Sequence, residues 1–98
     1  MNRFIKAFLS MFKKKRIKFL GRMGLRYCDY DNRLYYVDSE LLAAKEFDLI
    51  IFEKDIYLDD GNGRNLLPEN ERREILSRVK LELKNMGLRY VVSSSRTA

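Results

Sequence analysis

Gly24-Leu-Arg-Tyr-Cys-Asp-Tyr-Asp-Asn-Arg-Leu-Tyr-Tyr-Val37 is the stretch that decides the fold class. Its two halves are rich in Leu, Tyr and Val, side chains that suit a pleated, half-buried surface. Between them, Asp31-Asn32 tolerates the positive φ of a two-residue turn, so the stretch predicts a β-hairpin. A two-residue turn sets Tyr27 opposite Tyr36, Cys28 opposite Tyr35 and Arg26 opposite Val37. Aromatic cross-strand pairs of this kind contribute about 0.2 to 1 kcal/mol each.

Outward from the hairpin, Asp38-Ser39-Glu40 offers an N-cap and an early acid ahead of Leu41-Leu-Ala-Ala44, which predicts one or two helical turns over about Ser39 to Glu46. Leu49-Ile-Ile-Phe52 is a continuous apolar run, the mark of a strand covered on both faces. It resumes at Ile56-Tyr57-Leu58 after the polar Glu53-Lys54-Asp55, where a bulge and an exit from the sheet fit equally well. Asp59 to Asn65 reads as a loop.

Pro68, followed by Glu69 and Glu71, opens the main helix, whose apolar stripe is Ile75, Leu76, Val79, Leu83 and Met86. Glu69/Arg73 and Glu74/Arg78 are favourable i,i+4 pairs, and Gly87 is a natural stop. Leu88 to Val92 reads as a final strand, and the polar end from Ser93 as frayed. Met-Gly-Leu-Arg-Tyr occurs at both Met23–Tyr27 and Met86–Tyr90, but its surroundings differ and no internal repeat follows. The fold class is α+β, a small antiparallel sheet with one long amphipathic helix on a face and a basic amphipathic helix at the N-terminus.

The chain has 98 residues and a net charge of +6, enough for a single small domain. It holds no His and only Cys28. Histidine-based triads, Cys/His zinc sites and internal disulfides are therefore excluded, and the chain is expected not to be an enzyme. Charge is unevenly spread: residues 1–22 carry eight basic side chains and no acid, whereas 23–67 carry five basic and ten acidic ones. Residues 1–22 thus read as a basic leader and 23–98 as a single α+β domain of slightly acidic balance.

In the leader, Phe4, Phe8 and Phe12 fall on one side of a helix with Ile5, Leu9, Phe19 and Leu20, while Lys6, Lys13, Lys14 and Lys18 fall on the other. Lys15 and Arg16 intrude on the apolar side. The apolar stretch is too short for a secretion signal, and no window reaches the roughly 20 apolar residues of a membrane span. Three readings remain: contact with an anionic membrane surface through Phe4, Phe8, Phe12 and Lys13 to Arg16; packing on the domain or fraying; and, least favoured, nucleic-acid contact.

Candidate sites mostly fail on their own chemistry. Asp60, Asn62 and Glu71 occupy positions 1, 3 and 12 of a calcium-loop pattern, but Arg64 at position 5 opposes a cation and Asn65 replaces the required Gly. Gly61 and Gly63 lack the third glycine of a dinucleotide fingerprint. Asp29 and Asp31 could pair for acid–base work, yet no nucleophile or phosphate cradle lies near in sequence, and solvated turn carboxylates explain them better. No cofactor or metal is implied. What remains is an acidic, aromatic composition: Asp29, Tyr30, Asp31, Tyr35, Asp38 and Glu40 from one stretch, and Glu53, Asp55, Asp59 and Asp60 from another. Such a surface suits docking on a basic protein, and equally suits a solvated strand face.

Taken in order, Gly24-Leu-Arg-Tyr27, Arg33-Leu-Tyr-Tyr-Val-Asp-Ser-Glu40, Asp48-Leu-Ile-Ile-Phe52 and Glu71-Arg-Arg-Glu-Ile-Leu76, closing in Gly87-Leu-Arg-Tyr90, resemble small immunity proteins of bacterial polymorphic-toxin systems, with immunity protein family 74 as the subfamily. The resemblance spans about residues 22 to 92 and leaves the basic leader outside the family pattern. It implies a cytoplasmic protein, peripheral to the inner face of the membrane if the leader binds lipid. It also implies a cognate toxin as partner, often a nuclease, whose basic groove is occluded by Asp29, Tyr30, Asp31, Tyr35, Asp38, Glu40, Asp59 and Asp60.

Overall fold

A computed structural model describes residues 16–96 of the chain. Six strands and one helix follow in the order β1 Ile17–Phe19, β2 Met23–Cys28, β3 Leu34–Leu41, β4 Leu49–Asp59, β5 Arg64–Leu66, α1 Glu69–Asn85 and β6 Tyr90–Ser93. The strands form one sheet in the order β1-β2-β3-β4-β5, with β6 also on β4. All neighbours are antiparallel except β4 and β6, which run parallel. The far edge of β4 is shared, since β6 pairs with Leu49–Phe52 and β5 with Tyr57–Asp59. The expected α+β class holds, but the last strand joins in the parallel sense because α1 carries the chain back before β6 begins.

The hairpin forms one residue out of the expected register. Tyr27 pairs with Tyr35, Arg26 with Tyr36 and Cys28 with Leu34. The loop is three residues long: the Asp29 amide donates to the Arg33 carbonyl at 2.9 Å, the Asn32 amide to the Asp29 carbonyl at 3.0 Å, and Asn32 takes φ +67°. A three-residue loop with its last position left-handed is the next commonest hairpin closure after the two-residue turn. The slip puts Tyr27 and Tyr35 into the core, with ring centroids 6.3 Å apart.

No helix forms over Ser39 to Glu46. β3 runs on to Leu41, with Ser39 opposite Ile51 and Glu40 opposite Ile50. The alternation that buries Tyr35, Val37 and Ser39 simply continues through the supposed cap. Eight residues are also too few to recover the cost of helix nucleation without tertiary support. Opposite Asp38, β4 bulges over Phe52 to Asp55, and the ladder resumes with Val37 against Ile56. Ile51 and Ile56 are an odd number of residues apart, so only such a bulge lets both face the core, where each is fully buried. A bulge on the facing side of the sheet lies at Gly24, φ +85°, where an added Cβ would stand 2.8 Å from the Tyr36 ring.

Ile17–Phe19, read as part of the leader helix, is instead a strand paired with Leu25–Tyr27, and Ile17 is buried in the core. The rest of the expected helix, with Phe4, Phe8, Phe12, Lys13, Lys14 and Lys15, lies outside the described residues. Arg64 and Asn65, expected in a loop, form β5 together with Leu66. All three residues are exposed, so the free edge of β4, not an apolar pattern, recruits them.

α1 buries Ile75, Leu76, Val79 and Leu83 against Leu25, Tyr27, Tyr35, Val37, Leu49, Ile51 and Ile56. Pro68 stands one position earlier than expected, at the N-cap, and Met86 lies beyond the stripe with 46% exposure. The helix ends in a Schellman motif: the Gly87 amide donates to the Lys84 carbonyl and the Leu88 amide to the Leu83 carbonyl, both at 3.0 Å. Gly87 at φ +76° supplies the left-handed residue this closure needs. Just beyond, Asp48 receives the Arg89 amide at 2.8 Å and also the Arg89 side chain. That amide first, and the guanidinium second, hold the Asp48 carboxyl below its ordinary range.

Candidate functional site

The hairpin tip at Asp29–Arg33 and the β4–β5 loop at Asp60–Gly63 come to the same end of the sheet, where Asn32, Arg33, Asp59 and Asp60 line one shallow groove. On the helix side of that end, a cleft of about 210 Å³ runs between the tip and the first half of α1. Its polar lining is Asp29, Asp31, Arg33, Glu71, Glu74 and Arg78, four acids against two cations. Glu71, Glu74 and Arg78 reach it together because their spacing places them on one face of the helix.

Asp29 is not part of the outer surface. It is 3% exposed, and its carboxylate accepts the Tyr27 hydroxyl at 3.1 Å and the Arg78 guanidinium. Tyr35, likewise counted as a docking residue from the sequence, is 6% exposed and packs in the core. The one-residue register slip explains both, since it turns the face carrying Tyr27, Asp29 and Tyr35 inward. Burial, and then the hydrogen bond to Asp29, raise the Tyr27 hydroxyl well above the ordinary phenol range.

A group whose folded value is raised stabilises the fold fully below its unfolded value, and loses that contribution as pH climbs toward the folded one. For Tyr27 the loss is expected above about pH 10. In a tyrosinate absorbance titration the Tyr27 phenol should stay neutral beyond that pH until the chain unfolds, and Tyr27→Phe should remove its contribution. Ionisation of every phenol in the folded chain by about pH 11 would contradict the buried network.

The remaining sequence-derived residues are at the surface in different states. Tyr30 is 70% exposed at the tip, with the Arg16 guanidinium carbon 3.7 Å from its ring centroid. Arg16 also donates to the Cys28 carbonyl at 3.2 Å, so this leader residue is engaged by the hairpin. Asp31 pairs with Arg33 at 3.4 Å, and Asp59 with Arg64 at 4.0 Å. Asp60 accepts the Asn62 amide at 2.9 Å; among the described residues neither Asp60 nor Glu71 forms an ion pair. Asp38 and Glu40 lie elsewhere, toward the other end of β3, where both bind Arg96.

The structure therefore gathers Tyr30, Asp31, Asp59 and Asp60 at one end, adds Glu71 and Glu74, removes Asp29 and Tyr35 to the interior, and separates Asp38 and Glu40. The helix acids had a legible signal in their i,i+3 spacing, whereas Arg96 had none. Among the described residues no group of three or more His, Cys, Asp or Glu could hold a metal, and no helix is long and apolar enough to cross a membrane. No family model, curated protein or solved structure matches the chain.

Proposed function

We propose that the chain is a binding protein that occludes a basic protein partner, and that this partner is the toxin domain of a polymorphic-toxin system, as the sequence resemblance implies. The observation that carries the reading is the acidic end of the sheet: Tyr30 and Asp31 at the hairpin tip, Glu71 in the cleft beside Asp31, and Asp60 in the groove beside Arg33, the last two acids without an ion pair among the described residues. A tyrosine at a loop tip offers rigid contact area at little entropic cost, and exposed carboxylates around it steer a basic surface into place. Occlusion asks for no catalysis by this chain, in keeping with the lack of His. The reading implies action in the cytoplasm, where such a toxin reaches its target.

The proposal places a toxin gene next to the gene for this chain, and co-expression of the two products is the test. Relief of toxicity and co-purification of the two proteins are expected. Undiminished toxicity with both proteins soluble, and no co-purification, would overturn the reading.

A further inference from the structure

The face of the sheet opposite α1 carries an arginine site filled by the chain itself. Alternation along β3 sends Val37 and Ser39 into the core and therefore Asp38 and Glu40 to the other face. Arg96, three residues beyond β6, lies over them. Its Nε donates to Asp38 Oδ2 at 3.1 Å and its Nη2 to Asp38 Oδ1 at 2.9 Å, the two parallel bonds of a fork on a carboxylate. Nη2 also donates to the Ser39 carbonyl at 2.8 Å and Nη1 to Glu40 Oε2 at 3.3 Å. The guanidinium carbon is 4.6 Å from the Phe52 ring centroid, within reach of a cation–π contact.

All three guanidinium nitrogens thus have an acceptor, and the plane has an aromatic neighbour. This is more than a pair of acids meeting a cation: a bidentate carboxylate, a second carboxylate, a fixed carbonyl and a ring discriminate a planar guanidinium from a point-charge ammonium. The acceptors belong to adjacent positions of a central strand that is paired with β2 and β4. Arg96 lies instead outside the sheet, three residues beyond β6, and its side chain is still 32% exposed. Beside it, a groove of about 490 Å³ continues along the open face past Met23, Tyr36, Asp55 and Tyr57. Arg64 also lines that groove, its guanidinium carbon 3.7 Å from the Tyr36 ring centroid, so a peptide whose arginine entered the site would find Asp55 and Tyr57 beside a ring already covered by a cation.

We propose that Asp38, Glu40, the Ser39 carbonyl and Phe52 form an arginine-recognition site, occupied in cis by Arg96, which exchanges its own guanidinium for an arginine of the basic partner. The exchange with a partner rests on the proposed function; the preference of the site for a guanidinium does not. Tethering sets the threshold, because a short connection gives the tail arginine an effective concentration of roughly millimolar order. A partner arginine succeeds only when the rest of its interface adds to it, which favours the intended partner over any passing basic peptide.

The full chain carrying Arg96→Ala tests the site with N-acetyl-arginine amide as probe, followed by the amide resonances of Ser39, Glu40 and Phe52. Saturable shifts are expected in the variant, about tenfold weaker in the natural chain, where the tail competes at its effective concentration. N-acetyl-lysine amide, and the arginine probe on Asp38→Asn/Arg96→Ala, should give no saturation. Should Arg96→Ala fail to give a folded spectrum, Arg96→Gln keeps the tail's length and serves in its place. No saturation by the arginine probe in either folded variant, or equal saturation by the lysine probe, overturns the arginine site. This result does not depend on any toxin, so it is separable from failure of the proposed function. The exchange itself predicts that Arg96→Ala binds the neighbouring toxin domain more tightly than the natural chain; unchanged or weaker binding overturns it.

Discussion

Asp29→Ala is expected to destabilise the protein by about 3 kcal/mol, the cost of losing charge-assisted bonds from a buried acceptor and stranding a buried hydroxyl. For a domain of this size the melting temperature should fall by roughly 12 to 24 °C. The carboxylate is the hub between two elements: it accepts the Tyr27 hydroxyl from β2 and the Arg78 guanidinium from α1. Removing it leaves Tyr27, which is fully buried, with a hydroxyl that has lost its acceptor, and frees Arg78 to its remaining partner Glu74. Arg78 is 39% exposed and can return to water, so most of the cost arises on the Tyr27 side.

Two further variants separate these contributions. Asp29→Asn keeps an acceptor for Tyr27 and should cost about half as much as Asp29→Ala. A thermodynamic cycle of Asp29→Ala with Arg78→Ala should show a coupling of about 1 to 2 kcal/mol, as expected of a hydrogen-bonded pair that is only half buried. The sequence suggests a different role for Asp29, as a surface acid that meets a partner. That role predicts lost binding at unchanged stability. An Asp29→Ala protein as stable as the natural chain in denaturant titrations would return Asp29 to the surface role and remove it from the core network.

The contrast shows what local pattern could and could not reveal. The strands over Met23–Cys28, Leu34–Leu41 and Leu49–Asp59 announce themselves by β-favouring side chains, and the helix over Glu69–Asn85 by its stripe and its glycine stop. Face assignment in the hairpin, however, hangs on one residue of loop length. Asp31-Asn32 is compatible with two-residue and three-residue closures alike, and only packing of Tyr27 and Tyr35 under α1 selects the second. Ser39 met the same ambiguity, for its hydroxyl suits an N-cap while its position in the alternation suits a strand; the β4 edge opposite decides for the strand. β5 is held by backbone pairing and carries no apolar signature.

For the candidate site, composition was legible in the sequence and spatial grouping was not. An acidic, tyrosine-bearing loop is visible in Tyr30-Asp31 and Asp59-Asp60, and those residues do meet at one end of the sheet. Asp29 and Arg78 are 49 positions apart, and Arg96 lies 58 from Asp38, separations across which no periodicity operates. Ion pairing has rearranged the surface accordingly. Asp38 and Glu40 are satisfied by Arg96, and Asp31 by Arg33, so that at this end of the sheet Asp60 and Glu71 are left, among the described residues, without an ion pair.

On the proposed function, those two acids and Tyr30 carry the second large effect, a loss of partner binding with the fold intact. Tyr30→Ala should weaken binding of the neighbouring toxin domain by about 30-fold, the usual consequence of truncating an exposed aromatic that becomes buried at an interface centre. Tyr30 is 70% exposed and lies outside the core, with Arg16 over its ring, so denaturant stability should change by no more than about 1 kcal/mol, the scale of an exposed cation–π contact. Asp60→Lys with Glu71→Lys should act differently, slowing association by about tenfold and flattening its dependence on salt while changing dissociation little. The separation follows from physics: an anchor that fills a pocket governs how long the complex lasts, whereas unpaired charge at the rim governs how often the partners meet correctly. Asp29→Asn supplies the control, since it should reduce stability and leave the association rate of the folded fraction unchanged. Stopped-flow association at several salt concentrations, combined with dissociation measured by dilution, reads all three variants. If Tyr30→Ala and the double charge reversal both bind as the natural chain does, the acidic end of the sheet is not the docking surface.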